Sequence, residues 1–430
     1  MFSSSDCRQL TSTLCSLPRQ RLRSSPPSAL RASLWLASLP LLLSPWQSVR
    51  SAEGRSNGWD YFVGAGALYD DNLFRQPASV DLSTSGGLRR QDWIERASAG
   101  IHGSWDIARQ NFELKAHGDE NRFAHNDQLN NFSGNAAATW NWRVGGRWSG
   151  EVGADYARTL ADFANNLLLE KDMLTQRGSF GSATYRLGPH WAVHGSVRWS
   201  STTHSASERS VDDDNIRAQR FGVELILSPT DSLGWDYRHT NAGFTGDAAS
   251  TIGSFNRDYD ESSSIVWLKY ALSGKTELDL QGGYLHRDYP DTSIANFSGD
   301  TWRAALKWRP GAKTQVALTG WRTLTAYIDA ESDYFVETGA SIAPTWQPTE
   351  RVTASLAVSW QHQNYIGSNP ALGSDALRRD TVKAAQANVT YTPRRALELD
   401  LTYRREERDS NRSLLTYRDD VAMLGVRVMF

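Results

Sequence analysis

Strict alternation of apolar and polar residues recurs along nearly the whole chain after residue 51, most clearly in residues 112–117, 220–227, 352–361 and 397–404. Strands with this period have one apolar face and one polar face. The polar face carries charges of both signs, which are costly in a dry core but acceptable in a water-filled lumen. We therefore expect a lipid-facing and a lumen-facing side. The candidate lumen-facing residues are Glu113, Lys115, His117, Arg220, Glu224, Glu398, Asp400, Arg404 and Arg427.

The connections between these strands also alternate, between short and long. Gly- and Pro-containing tight turns are predicted near residues 108–109, 145–146, 188–189, 229–230, 273–274, 310–311, 348–349 and 393–394. Longer polar loops are predicted at 70–91, 124–131, 161–171, 206–214, 243–258, 290–299 and 366–379. Short turns on one side and long loops on the other are typical of the periplasmic and extracellular ends of an outer-membrane barrel.

These patterns predict an all-β fold, a transmembrane antiparallel up-and-down β-barrel of about 18 strands. Sixteen strands is the fallback, because alternation is weaker around residues 262–270 and 314–321. A repeating unit of about 40 residues could also indicate the blades of a β-propeller. We find neither a motif that repeats in each blade nor four strands per unit, so the barrel is favoured.

The C-terminal segment has the form of a barrel-closing strand. Residues 423–430 alternate and end on the aromatic Phe430, as expected for a strand that ends in the membrane-interface girdle. The segment resembles the recognition signal of bacterial outer-membrane proteins, matched by Gly425, Val428 and Phe430. Met423 departs from that pattern, which usually has a polar residue there. The resemblance implies insertion into the outer-membrane lipid by the barrel-assembly machinery.

The N-terminal segment predicts export. Arginines at positions 19, 21, 23 and 31 lead into an apolar run over residues 32–43, the order found in a secretory signal peptide. The run is too short to span a bilayer as a helix, and Pro40 and Pro45 would interrupt one. We expect a signal peptide over residues 1–51 and a single outer-membrane barrel domain over residues 52–430.

Composition excludes several classes of function for the expected mature chain. Both cysteines, Cys7 and Cys15, lie in the signal segment, which leaves no disulfide framework and no thiolate metal ligand. Residues 52–430 hold 40 basic and 47 acidic residues, a net charge of −7 that argues against a nucleic-acid partner. The mean hydropathy of the whole chain, −0.51, and the lack of a long apolar stretch argue against membrane-spanning helices.

One short motif gives a more specific indication. The sequence Tyr69-Asp70-Asp71-Asn72-Leu73-Phe74-Arg75 follows the first strand and resembles the signature of EpsL-type proteins. These are outer-membrane β-barrels encoded with exosortase-associated exopolysaccharide systems. The resemblance implies a role in exopolysaccharide biosynthesis, with polysaccharide and other polysaccharide export components as partners. For residues 70–75, contact with sugar and a local turn that ends the first strand are equally weighted explanations.

Other candidate chemistry is weaker. Residues 70–72 and 212–214 group oxygen-bearing side chains, but neither has the spacing of a calcium loop, and an Asx turn is favoured. No His-Glu-x-x-His motif occurs in the sequence, so we expect no metal and no cofactor. The carboxylate pairs Glu398/Asp400 and Glu277/Asp279 would share a strand face about 7 Å apart. That spacing could serve inverting glycoside hydrolysis, yet charged pore lining is favoured and we expect no enzyme.

Two functions from different classes remain. The barrel is either a pore that exports the polymer across the outer membrane, or a general porin or surface-binding platform without polymer transport. A lumen lined with charges and hydroxyl groups could hydrate a passing polar polymer without any covalent step.

Overall fold

The computed structural model describes residues 57–84, 86–165, 169–245, 258–290, 296–326, 334–366 and 378–430. The predicted signal peptide lies outside these residues. The described residues form one 18-stranded antiparallel sheet, which closes on itself because β1 pairs with both β18 and β2. This confirms the all-β barrel and the count of 18. The fallback of 16 is wrong, because residues 262–270 and 314–321 belong to regular strands.

The strands follow one another around the barrel in chain order. They are β1 (Asn57–Asp70), β2 (Asp92–Ile107), β3 (Gln110–Phe123), β4 (Asn131–Val144), β5 (Trp148–Leu160), β6 (Met173–Arg186), β7 (Trp191–Thr203), β8 (Asp214–Ile226), β9 (Ser232–Phe244), β10 (Tyr259–Ser273), β11 (Thr276–Asp288), β12 (Phe297–Gly311), β13 (Thr314–Ala326), β14 (Tyr334–Thr349), β15 (Val352–Ile366), β16 (Arg379–Arg394), β17 (Leu397–Ser410) and β18 (Tyr417–Met429). Short 3₁₀ helices span Leu82–Thr84, Asp127–Leu129, Phe163–Asn165, Ser207–Asp212 and Ser413–Leu415. No helix among the described residues is long and apolar enough to cross a membrane.

The turns on the periplasmic side are short, as expected, but three prolines do not lie where they were predicted. Pro310, Pro348 and Pro393 stand in the last residues of their strands, and each turn follows. Each lies where the register shifts, between Trp308 and Gly311, Trp346 and Thr349, and Tyr391 and Arg394. Proline has no N–H to donate to a neighbouring strand, so it is accommodated at such a bulge.

The outer face of the barrel is apolar between two belts of exposed aromatic side chains. The belt near the short turns contains Trp59, Phe112, Trp140, Trp148, Trp191, Tyr270, Trp308, Trp346, Tyr391 and Phe430. The belt near the long loops contains Trp93, Phe132, Tyr156, Trp199, Tyr237, Tyr284, Trp302, Trp360 and Tyr403. Aromatic residues are enriched at both membrane–water interfaces, so these belts mark the two edges of the bilayer.

Apolar packing inside the barrel is concentrated at the extracellular end. One cluster, here called the loop-1 cluster, contains Leu68, Leu73, Phe74, Leu82, Ile94, Phe123, Leu129, Phe163, Val421 and Met423. A second, the tyrosine cluster, contains Ala242, Tyr259, Tyr289 and Tyr334. Both gather inward-facing residues from strand ends together with loop residues, so they narrow the extracellular mouth from two sides.

Candidate functional site

The strand register places all nine candidate lumen residues on the inner face. On β3, Glu113 Oε1 lies 3.1 Å from Nε2 of His102 and 2.6 Å from Nζ of Lys115. His117 Nε2 lies 3.1 Å from the carboxylate of Asp119. The apolar neighbours Phe112 and Trp140 stack on the outside with ring centroids 5.9 Å apart. Charged and apolar side chains therefore lie on opposite faces of β3.

The candidates on β17 and β18 form paired charges. Arg427 Nη1 lies 3.4 Å from Glu398, and its guanidinium lies 4.8 Å from the ring centre of Phe62. Arg404 Nη2 donates to Asp419 at 3.0 Å. Such pairing offsets the cost of partly desolvating these charges beside the barrel wall.

The candidates on β8 belong to a cluster that the sequence did not reveal. Arg220 and His194 both bind the carboxylate of Asp236, with His194 Nε2 at 2.7 Å from Asp236 Oδ1. The three side chains come from neighbouring strands β7, β8 and β9. Glu224, two residues after Gly222, faces the lumen on β8 opposite Ala192. Only the cross-strand register could identify this cluster, because its members lie far apart in sequence.

Three of the four carboxylates in the proposed pairs, all but Asp279, contact other side chains of the wall. Asp400 Oδ1 accepts a hydrogen bond from the Thr390 hydroxyl at 2.6 Å, and Glu398 faces Arg427. Glu277 Oε1 accepts from Arg309 Nη1 at 2.8 Å. These contacts fit the pore-lining interpretation, since each contact ties a carboxylate to the wall.

The motif at residues 69–75 begins with an Asx turn at the extracellular end of β1. Asp70 Oδ1 accepts a hydrogen bond from the backbone N–H of Asn72 at 2.9 Å. The Asn72 side-chain amide donates to the backbone oxygens of Gln76 and Arg418, at 2.9 and 2.8 Å. Tyr69 faces outward and donates from its hydroxyl to Gln91 at 3.0 Å. The turn thus directs the chain back into the barrel mouth and against β18.

Arg75 is the centre of a buried ionic network in this mouth. Its Nη1 lies 3.1 Å from Asp70 Oδ2 and 2.8 Å from Asp419 Oδ1. Burial alone would lower the pKa of the Arg75 guanidinium, but the neighbouring carboxylates, Asp70 foremost, hold that pKa well above its ordinary value. Burial also raises the pKa of the nearby Asp71 carboxyl. Arg75 therefore stays charged and links the motif to the closing strand.

The apolar motif residues anchor the same loop. Phe74 is fully buried, and its ring centroid lies 4.8 Å from that of Phe163, which belongs to the loop between β5 and β6. Leu73 is also buried in the loop-1 cluster. Arg408 Nη1 donates to the backbone oxygen of Ala164 at 2.5 Å and so ties that second loop to the wall. With its side chains engaged in these contacts, the motif has the character of a structural anchor rather than of a sugar-contacting surface.

One sector of the lumen wall is mostly uncharged. The inward-facing side chains of β13–β16 are mainly Ser, Thr, Gln, Asn and Ala, as the register of these strands shows. Glu337 and Asp380 are the charged exceptions among the described residues of this sector, and both lie towards the extracellular end. We call the inner face of these four strands the uncharged sector. It contrasts with the densely charged inner face of β17.

The assembly-signal residues lie at the barrel seam between β18 and β1. Phe430 donates its backbone N–H to the oxygen of Tyr61 at 2.9 Å, while its side chain points outward and is 70% exposed. Gly425 lies opposite Gly66, where an added Cβ would stand 2.9 Å from the oxygen of Leu424. Val428 faces outward beside them. These residues thus take part in closing the ring.

Comparison with known proteins gives one family match and several structural similarities. Residues 247–430 match a family model described as "Putative beta-barrel porin 2". No curated protein matches the chain. Among solved structures, OpdK of Pseudomonas aeruginosa is 13% identical, with a TM-score of 0.47, and the match covers 87% of this chain and 98% of that one. OccK2 (OpdF) of Pseudomonas aeruginosa is 12% identical, with a TM-score of 0.49 and coverage of 87% and 97%. The channel DcaP of Acinetobacter baumannii is 17% identical, with a TM-score of 0.44 and coverage of 87% and 97%.

The barrel architecture and the family match agree on the class of protein. A closed antiparallel barrel with a polar interior and two aromatic belts is the architecture that spans the bacterial outer membrane. The chain is a porin-like barrel of the bacterial outer membrane, and its match to a porin family model covers the C-terminal part of that barrel.

Proposed function

We propose that this barrel takes part in exopolysaccharide biosynthesis by conducting the polymer across the outer membrane. The observation that carries the proposal is the uncharged sector, which lines four adjacent strands with hydroxyl and amide groups. Such groups exchange hydrogen bonds with sugar hydroxyls without the strong retention that a fixed charge gives to ions. The resemblance of residues 69–75 to the EpsL-type signature points to the same class of substrate.

Barrel size supports this route. Eighteen strands belong to the range in which a barrel can enclose an aqueous channel. The path of the polymer would follow the uncharged sector, because the adjoining wall of β17, β18 and β1 carries the loop-1 cluster and its ionic network. Other polysaccharide export components would deliver the polymer to the periplasmic end, and the barrel-assembly machinery would insert the barrel through its C-terminal strand.

A second candidate function is a general porin for small solutes. The observation that favours it is the narrowed mouth, where the loop-1 cluster and the tyrosine cluster fill the extracellular end from two sides. A constriction built from packed apolar residues suits small solutes more readily than a hydrated polymer. A surface platform would act through its extracellular loops. In that case too, the polysaccharide would not pass through the lumen.

Polysaccharide distribution in a strain lacking the gene tests the proposal. Cell-free medium and periplasm are compared by a sugar assay, with the wild-type gene restored on a plasmid as the control. Polymer held in the periplasm and absent from the medium supports the export pore. Unchanged secretion contradicts export and favours the porin. A platform is indicated instead when replacing residues 246–257 with a short linker abolishes secretion while the lumen is intact.

A further inference from the structure

Trp321 of β13 is an aromatic side chain that faces the lumen within the uncharged sector. Its ring lies against Gly339 of β14, where an added Cβ would stand 2.5 Å from Trp321 Cζ2. The absence of a side chain at position 339 lets the indole lie along the wall. The side chain remains partly exposed, so part of the ring is accessible from the lumen.

The orientation of the indole is fixed by hydrogen bonds. Trp321 Nε1 donates to Glu337 Oε1 at 2.6 Å. The other carboxylate oxygen of Glu337 accepts from Gln363 Nε2 at 3.1 Å, and Gln363 in turn accepts from the Tyr365 hydroxyl at 3.1 Å. Glu337 and Gln363 are buried. A ring held by a buried chain of hydrogen bonds presents one fixed surface, which lowers the entropic cost of binding a ligand to it.

The polar groups beside this ring make no hydrogen bonds to other described residues. Gln361 lies opposite Gly339 in the register, and the hydroxyls of Thr319, Ser341 and Ser359 form a row across three adjacent strands. Neighbouring strands are about 4.8 Å apart, so the row extends over about 10 Å. Among the described residues, the side chains of these four form no hydrogen bonds with the rest of the protein. They are therefore available to a ligand in the lumen.

We propose that Trp321, Gln361 and this hydroxyl row form a binding subsite for an uncharged hexose unit of the polysaccharide. The apolar C–H face of the sugar ring would lie on the indole, and its hydroxyls would exchange hydrogen bonds with Gln361 and the row. The assignment rests on the proposed function and adds a substrate class to it. Arg303 of β12 is the inward-facing neighbour of Trp321 on the other side, so an acidic sugar is the alternative that the test must separate.

Trp267 provides a matched control. It also faces the lumen and lies against a glycine of a neighbouring strand, Gly234 of β9. It differs in being buried, with 6% of its surface exposed, and in having Lys269 over its ring at 5.7 Å. Truncating Trp267 removes as much aromatic volume as truncating Trp321 but no accessible stacking surface.

Saturation-transfer NMR with cellohexaose, on the full-length barrel purified in detergent, tests the subsite. We expect Trp321→Ala to weaken binding roughly five- to tenfold, Trp321→Phe to retain most of it, and Trp267→Ala to leave it unchanged. Folding of each variant is judged by heat-modifiable gel mobility. If Trp321→Ala does not fold, Gln361→Ala takes its place and should also weaken the binding of cellohexaose. Binding of this neutral probe should not change with salt.

Several outcomes overturn the assignment. They are no transfer to cellohexaose in the wild type, equal binding by Trp321→Ala, equal loss in Trp267→Ala, or stronger and salt-dependent binding of hexagalacturonate. The gene-deletion assay separates this failure from failure of the proposed function. If the deletion strain loses secretion and Trp321→Ala binds cellohexaose as well as wild type, the subsite alone is overturned. Unchanged secretion in the deletion strain overturns export.

Discussion

Arg75 Nη1 lies 2.8 Å from Asp419 Oδ1, and this contact joins the loop after the first strand to the last strand of the barrel. Because β1 and β18 meet at the seam that closes the ring, the ion pair links the first and the last strand. The same guanidinium binds Asp70. The motif that resembles the EpsL-type signature therefore acts, in this structure, at the extracellular end of the seam.

Arg75→Ala should destabilise the barrel strongly. The substitution leaves the carboxylate of Asp70 buried without its cation and leaves Asp419 paired only with Arg404, which costs about 3–5 kcal/mol. Urea unfolding of the refolded protein in lipid vesicles measures the loss. Arg122→Ala is the control, because the ion pair of Arg122 with Glu120 is solvent-exposed and should not change the unfolding curve. Equal curves for Arg75→Ala and wild type would contradict the network.

Phe74 and Phe163 should be energetically coupled. Each truncation to Ala removes a buried ring and should cost about 3–5 kcal/mol. Since the rings contact each other, the double variant should lose less than the sum of the two single variants, by about 0.5–1.5 kcal/mol. The same unfolding assay gives the three values. Strict additivity would show that the two loops do not pack together in solution.

Sequence alternation, together with the spacing of turns and loops, was sufficient to predict the all-β barrel and its 18 strands. It assigned Glu113 and Arg427 to the inner face because the period of a strand is two. It could not predict that Arg75 binds Asp419, 344 residues away, because alternation does not specify which loop and strand side chains meet across the seam. Nor could it reveal Trp321 lying against Gly339, since that contact depends on the register between two strands.

Charge on the outer face should be much more costly than charge on the inner face. Leu356 and Ser355 are adjacent on β15, but Leu356 points to lipid and Ser355 to the lumen. Leu356→Arg should reduce the free energy of unfolding in lipid vesicles by about 2–4 kcal/mol, whereas Ser355→Arg should be nearly as stable as wild type. Similar losses of stability in both variants would mean that the inner and outer faces of β15 are wrongly assigned.

Removal of Phe430 should impair barrel assembly. The deletion takes away the backbone hydrogen bonds to Tyr61 and the exposed aromatic ring at the end of the closing strand. Cells that express the shortened chain should contain less heat-modifiable barrel in the outer membrane, while Phe430→Tyr, which keeps both features, should restore it. Normal amounts of barrel from the shortened chain would count against a role of this residue in assembly.

The most direct measurement of polymer passage through the lumen compares two adjacent tryptophan substitutions in the deletion strain. Ala357 faces the lumen on β15, within the uncharged sector, and Val358 faces lipid. Gly222 is unsuitable for this purpose, because a side chain there would overlap Asp236 and His194. With both variants assembled in the outer membrane, the export account predicts that Ala357→Trp holds polysaccharide in the periplasm while Val358→Trp secretes it normally. Normal secretion by the Ala357→Trp strain would contradict passage along the uncharged sector of the lumen.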